Sequence, residues 1–224
     1  MSAAARSGGA VAPPPGLTLV KICGLTRVED ALLAAAAGAA AIGLNFWRPG
    51  RRAVTPERAR EIVRAVGARW PAVTAVAVFV DADRAEIDDT LAQSGCTIAQ
   101  LHGDEPPALV AALGARAWKV LRGATAEEIV ARARAYPAAP LLVDAPSPTL
   151  PGGTGVVSPA GWEAARLLAA AGRTVWLAGG LTAENVAAAV RHARPYGVDV
   201  ASGVESAPGV KDPARVRAFV AAAS

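Results

Sequence analysis

The stretch Val20-Lys21-Ile22-Cys23-Gly24 decides how this chain is read. It closes an apolar run, Leu17 to Ile22, that alternates poorly between polar and apolar residues, as a strand buried on both faces does. A cysteine and then a glycine stand where such a strand stops and its loop begins. In a parallel α/β barrel that place is the catalytic rim, because reactive side chains come from the C-terminal ends of the strands. Taken alone, Cys23 reads more simply as one more small buried hydrophobe, a common fate for a free cysteine. The rest of the chain changes that balance.

Outward from this stretch, apolar runs alternate with Ala- and Arg-rich helical stretches. The strand-like runs are Leu17–Cys23, Ala41–Phe46, Val73–Val80, Thr97–Leu101, Ala117–Leu121, Leu141–Asp144, Thr174–Ala178 and Val198–Ala201. Between and after them the spacing predicts helices over Val28–Ala37, Pro56–Val66, Arg84–Gln93, Pro106–Leu113, Ala126–Ala135, Pro159–Ala170, Ala183–His192 and Pro213–Ala222. Thr55-Pro56-Glu57, Ser158-Pro159 and Asp212-Pro213 each put a capping side chain before a proline at the first helical position. Strands that each lead into a helix, repeated to the end of the chain, make a closed (β/α)8 barrel of parallel strands the economical architecture. A doubly wound open sheet is the alternative, but no Gly-x-Gly-x-x-Gly follows the first strand. No linker-like composition interrupts the alternation, so residues 17–224 read as one barrel domain. Residues 1–16, rich in Ala, Ser, Gly and Pro, read as a loose leader without the apolar block of a signal peptide.

Composition agrees. A chain of 224 residues fits one barrel, since such domains run to roughly 200–250 residues. Two cysteines are too few for a disulfide framework, which points to a reducing, cytoplasmic setting. The longest apolar run, Ala31 to Leu44, falls short of the roughly 18 residues a membrane span needs, so no membrane partner is expected. The formal charge of +4 comes from 23 dispersed Lys and Arg, with only 4% aromatic residues. That pattern argues against nucleic acid, which wants a basic patch with stacking rings, and remains compatible with a small anionic substrate.

The candidate chemistry lies at strand ends. Gly152-Gly153-Thr154-Gly155 follows the sixth strand, Gly179-Gly180 the seventh and Ser202-Gly203 the eighth. Any one of these can simply turn the chain. Two at the positions where barrels hold phosphate on backbone N–H groups favour a phosphate site. Asp144 ends the sixth strand after Leu141-Leu142-Val143, an apolar approach that favours a protonated carboxyl able to act as a general acid. Its other reading is a brace for the long loop that follows. Cys23 can act as a base if Lys21, Arg52 or a substrate charge favours the thiolate. Arg52, within Arg48-Pro49-Gly50-Arg51-Arg52, could fork a substrate carboxylate; Arg48, Arg51 and nearby Arg58 read as solvated loop and helix charges. His102 follows the fourth strand, and with His192 as the only other histidine a zinc site is improbable. Cys96 reads as buried and inert. Asp199, inside the eighth strand, has two open readings: pointing into the barrel mouth or bracing a neighbour.

These residues together resemble the phosphoribosylanthranilate isomerase family over about Leu17 to Val220. The resemblance rests on an ordered set: Lys21-Ile22-Cys23-Gly24-Leu25-Thr26, Gln100-Leu101-His102-Gly103-Asp104-Glu105, Leu177-Ala178-Gly179-Gly180-Leu181 and Gly197-Val198-Asp199-Val200-Ala201-Ser202-Gly203-Val204-Glu205. It implies a (β/α)8 barrel and an Amadori rearrangement of N-(5-phospho-β-D-ribosyl)anthranilate in tryptophan biosynthesis, without metal or organic cofactor. By resemblance Asp144 is the general acid and Cys23 the general base. Arg52 lies near the anthranilate moiety, His102 and Asp199 occupy further active-site positions, and Gly179, Gly180, Ser202 and Gly203 fall in the phosphate loops. The implied partner is a small phosphorylated substrate bound by a monomer or homodimer. The chain departs from the family's frequent pattern at Gly50-Arg51-Arg52-Ala53, at Val156-Val157 and at Ala77. A related sugar-phosphate isomerase of histidine biosynthesis, or a dual-substrate version, is the rival enzyme, but such enzymes work through acid/base aspartates, and Cys23 argues against that assignment. A barrel that keeps phosphate binding without catalysis is the rival outside enzymology.

Overall fold

The computed structural model describes residues 17–145 and 157–224. The leader at 1–16 and the glycines at 152, 153 and 155 lie outside the described residues. Eight parallel strands close into a barrel: β1 (Leu19–Ile22), β2 (Ala41–Asn45), β3 (Thr74–Phe79), β4 (Ile98–Leu101), β5 (Ala117–Leu121), β6 (Leu141–Val143), β7 (Val175–Leu177) and β8 (Gly197–Val200). Each pairs with its neighbours in chain order, and β8 returns to β1 with Lys21 level with Asp199 and Ile22 with Val200. The helices alternate with them: α1 (Val28–Ala36), α2 (Pro56–Gly67), α3 (Arg84–Ser94), α4 (Pro107–Leu113), α5 (Ala126–Ala133), α6 (Pro159–Ala170), α7 (Val186–Ala193) and α8 (Pro213–Ala223).

The helix starts are chemically determined. Thr55 Oγ1 accepts from Arg58 N at 3.2 Å, Ser158 Oγ from Gly161 N at 3.0 Å, and Asp212 Oδ1 from Ala214 N and Arg215 N at 2.8 and 3.0 Å. In each case the following proline occupies the first helical position, where its missing N–H costs nothing. The sequence pattern starts α7 three residues early, at Ala183. The cause is Asn185, whose Oδ1 accepts from Thr182 N at 2.9 Å while its Nδ2 donates to Gly180 O at 2.9 Å, tying those residues into a turn. A two-stranded antiparallel hairpin, β9 (Glu205–Ala207) and β10 (Val210–Lys211), follows β8 and is absent from the pattern-based reading.

Strand parity sorts the core into two shells. Ile22, Ile42, Leu44, Phe79, Leu101, Leu121, Leu141, Val143 and Leu177 point outward and are packed into the large apolar layer beneath the helices. The other face fills the barrel with Ala41, Val76, Trp118, Val120, Leu142, Trp176 and Ala178. Trp118 and Trp176 stack with centroids 5.0 Å apart, and Tyr196 meets Trp176 edge-on at 5.7 Å. Gly197 admits this plug, because a Cβ there would collide with the Trp176 ring. Aromatic bulk thus closes the end where strands begin. The end where they finish is left to polar side chains of the same interior parity.

Candidate active site

Cys23 immediately follows β1, and its N–H donates to Val200 O at 2.8 Å, so the residue is still pinned to the barrel wall. Asp144 immediately follows β6 and His102 follows β4. All three, with Asn45, Trp47, Arg52, Gln100, Asp199 and Ala201, line one cleft at the barrel's C-terminal mouth. Cys23 and Asp144 are thus brought to the same cleft from opposite parts of the chain. No helix among the described residues is long and apolar enough to cross a membrane.

On one wall, Asp144 Oδ2 lies 3.1 Å from His102 Nε2, and its Oδ1 accepts from the N–H of Ala145 at 2.8 Å. Both side chains are buried. The imidazole gives the carboxyl a partner in either protonation state, accepting from the acid or donating to the carboxylate. His102 is itself held from behind. Arg122 donates to His102 O at 2.7 Å. The Lys119 ammonium donates to Leu101 O at 3.2 Å, Gly103 O at 2.7 Å and Glu105 Oε2 at 2.7 Å.

On the opposite side of the chain's order, Lys21 sits inside the barrel with no exposed surface and donates to Asp199 Oδ1 at 2.8 Å. Asp199 thus does both things the sequence left open: it faces the cleft and braces a neighbour. Burial alone would lower the Lys21 pKa, but Asp199 and Cys23 beside it reverse that and hold the ammonium above its ordinary value. For Cys23, burial pushes the thiol up, the Lys21 ammonium pulls it down, and the Asp199 carboxylate adds to the rise; the outcome is a raised value. Cys96 contrasts with it. It lies just before β4, buried, and is pushed by burial to about 11, with no lysine near it.

Arg52 lines the cleft, but one edge of its guanidinium is engaged. Nε and Nη2 donate to Glu205 Oε1 and Oε2 at 2.8 and 2.6 Å. Glu205 Oε1 also accepts from Lys211 Nζ at 2.8 Å and Gly209 N at 3.2 Å. Lys211 in turn donates to the carbonyls of Cys23 and Ala201 at 2.6 and 3.1 Å. The fork expected to grip a ligand is therefore filled by the chain's own carboxylate, leaving only the remaining guanidinium edge for the cleft. Arg48 and Arg51 are exposed, as the sequence suggests. His192 is on α7, away from the cleft, 3.3 Å from Glu163.

The glycine loops after β7 and β8 adjoin the cleft through Ala178 and Ala201, which line it, while Gly179, Gly180, Ser202 and Gly203 are not among its lining residues. Gly179 and Gly180 adopt positive φ of 88° and 63°, and a Cβ on Gly179 would lie 2.5 Å from Ala145 N. A Cβ on Gly203 would collide with Leu181 O. The loop after β7 is thus wedged between those after β6 and β8, at a spacing that only bare backbone permits. Lys21, Glu205, Lys211 and Gln100 were not singled out as site residues from sequence. The first three are joined to predicted ones by direct hydrogen bonds: Lys21 to Asp199, Glu205 to Arg52 and Lys211 to the Cys23 carbonyl. Gln100 Oε1, buried in the cleft floor, has no hydrogen-bond partner among the described residues.

A cysteine and a carboxyl thus stand at the ends of β1 and β6, facing one cleft. The family model for N-(5'-phosphoribosyl)anthranilate isomerase matches residues 20–222. The chain belongs to that family. The N-(5'-phosphoribosyl)anthranilate isomerase of Pseudomonas aeruginosa strain UCBPP-PA14 is 48% identical over 202 residues, covering 90% of this chain and 92% of its own. The crystal structure of the phosphoribosylanthranilate isomerase from Thermotoga maritima superposes with a TM-score of 0.82 at 34% identity, covering 92% of this chain and 98% of its own. A phosphoribosylanthranilate isomerase solved in complex with reduced 1-(o-carboxyphenylamino)-1-deoxyribulose 5-phosphate gives 0.76 at 33% identity, again covering 92% and 98%.

Proposed function

We propose that this protein converts N-(5-phospho-β-D-ribosyl)anthranilate to 1-(2-carboxyphenylamino)-1-deoxy-D-ribulose 5-phosphate in tryptophan biosynthesis, with Asp144 as general acid and Cys23 as general base. The observation that carries the assignment of roles is that these two groups line one cleft from β6 and β1, each with its own partner set. Asp144 protonates the ribose ring oxygen, the ring C–O bond breaks, and the C1–N linkage becomes a protonated Schiff base. Cys23 then takes the C2 proton, the electron pair moves to C1 and nitrogen, and the resulting enolamine becomes the ketone. The first step needs a group that starts protonated and the second a group that accepts a proton, so one cleft must hold two groups of different acidity. His102 supports the first role because Asp144, having lost its proton, remains hydrogen-bonded to the imidazole.

The substrate phosphate is assigned to the loops of Gly179, Gly180, Ser202 and Gly203, which follow β7 and β8, where backbone N–H groups of a parallel barrel can hold an anion. The anthranilate moiety is assigned to the Arg52 side of the cleft, with Trp47 beside it. The T. maritima isomerase is dimeric, and monomers generated from it have been crystallised; a monomer or homodimer is the corresponding expectation here. The test follows the loss of anthranilate fluorescence on adding enzyme to freshly made phosphoribosylanthranilate. Cys23→Ser and Asp144→Asn should each lower kcat by two or more orders of magnitude, roughly what general acid–base catalysis contributes. Unchanged turnover in both variants would remove the proposed mechanism.

A further inference from the structure

We propose that Lys21 is a positioning residue for proton transfer at Cys23: its ammonium, held by Asp199, stabilises the thiolate that accepts the substrate's C2 proton. The inference rests on Cys23 being the base. Its geometry is independent of that reading. A Cβ placed on Gly43 would lie 2.6 Å from Cys23 Sγ and 2.9 Å from Lys21 Nζ, so both atoms crowd the one gap that a missing side chain leaves. Lys21 has no exposed surface, so water does not screen its charge from the sulfur. Only one of its three N–H groups is directed to Asp199.

Stability does not account for a lysine at this place. A buried ion pair is commonly matched or exceeded by a well-packed apolar pair of similar volume. The field at Cys23 does account for it. The charged groups around the sulfur are Lys21 on β1, Asp199 on β8, Lys211 on β10 and Arg52 after β2; the Glu205 carboxylate lies behind the last two. His102 and Asp144 face the same cleft. Lys211 and Arg52 are tied to Glu205, which offsets their charge, while among the charges acting on Cys23 the pull of Lys21 exceeds the push of Asp199. In the reaction, the C2 proton passes to the Cys23 sulfur while Lys21 keeps its three protons throughout. Lys21 supplies only a fixed charge beside the thiolate.

The test reads Cys23 without using turnover. Iodoacetamide alkylation of the Cys23 peptide is quantified by mass spectrometry across the neutral and alkaline range. Lys21→Met should shift the rate profile to higher pH and slow alkylation at neutral pH by about tenfold, the equivalent of a thiolate fraction lowered by that factor. Lys21→Arg, which keeps a positive charge, should recover most of the rate, and Asp199→Asn should speed alkylation. If Lys21→Met does not fold, Lys21→Met/Asp199→Asn deletes both charges together; its profile should still lie above the wild-type pH. A wild-type alkylation profile in the folded single or double variant overturns the proposal while leaving Cys23 as the base. Full turnover of phosphoribosylanthranilate by Cys23→Ser would instead remove the base, and the proposal with it, whatever the alkylation profile.

Discussion

Replacing Glu205 by Gln tests the part of the site that is most heavily charged. The carboxylate is 6% exposed and serves two cations, forked by Arg52 at 2.8 and 2.6 Å and bonded to Lys211 at 2.8 Å. Glutamine keeps the volume and one acceptor but leaves Lys211, 2% exposed, without a counter-charge. Removing one partner of a buried pair costs about 3–5 kcal/mol, and the retained acceptor together with the partial exposure of Arg52 favours the lower end, about 3 kcal/mol. Burial alone would raise the Glu205 pKa, but Arg52 and Lys211 overcome it and hold the carboxyl below the usual range. A group depressed on folding stabilises the native state above its unfolded pKa, about 4.3, and that contribution is lost as pH falls through the folded value. The wild type should therefore exceed the variant in urea unfolding at neutral pH, followed by tryptophan fluorescence, and the gap should narrow steadily in acid. A neutral-pH difference below about 0.5 kcal/mol, typical of an unremarkable surface change, would refute the reasoning. So would a gap that stays constant into acid.

Three further outcomes follow from the same geometry. Because burial raises the Cys23 thiol, kcat/KM should climb with pH through and above neutrality as the thiolate forms; a profile flat across that range would contradict the assigned base. Gly203→Ala drives a Cβ into the Leu181 carbonyl, so it should cost about 1–3 kcal/mol of stability and raise KM for the phosphorylated substrate, and a normal KM in the purified variant would count against the loop assignment. Lys119→Met strips Glu105 of its buried partner and frees the carbonyls of Leu101 and Gly103, with an expected loss of about 3–5 kcal/mol in denaturant titration; unchanged stability would show that the clasp behind His102 contributes nothing.

The barrel was legible because its signals are local. Uninterrupted apolar runs, cap-and-proline starts at Thr55, Ser158 and Asp212, and glycines after the late strands all act over a few residues. Strand ends differ from the pattern by one or two residues, as hydrogen-bond assignment and hydropathy mark different limits. The partnerships at the site were not legible, because they depend on how the barrel closes. Lys21 and Asp199 are 178 residues apart and meet only because β8 pairs with β1 in a register that sets them level. Glu205 and Arg52 are 153 apart and meet through the β9–β10 hairpin. That hairpin had a signal, Pro208-Gly209 between short runs, with Gly209 at φ 81°. It was hidden because the barrel pattern accounts for the flanking strand and helix without it.

The distribution of the two basic residue types joins these partnerships. The chain contains 23 Lys and Arg, of which only Lys21, Lys119 and Lys211 are lysines, and all three are buried. Each is paired with a different buried carboxylate: Asp199, Glu105 and Glu205. Exposed ion pairs such as Arg27–Glu29, Arg84–Asp88 and Arg166–Glu163 are made by arginine instead, and contribute little in water. A compact ammonium with rotatable donors can sit among close-packed carbonyls, where a planar guanidinium needs a flat, forked partner. The three lysines use that property at three points of the same rim. Lys119 gathers the carbonyls on either side of His102, Lys211 those of Cys23 and Ala201, and Lys21 stands beside the Cys23 sulfur. The groups assigned to acid and base chemistry are therefore fixed from within the protein by charge that solvent cannot screen. Exchanging Lys119 or Lys211, each packed among backbone carbonyls, for arginine should perturb the cleft more than the same exchange, in reverse, at any exposed arginine.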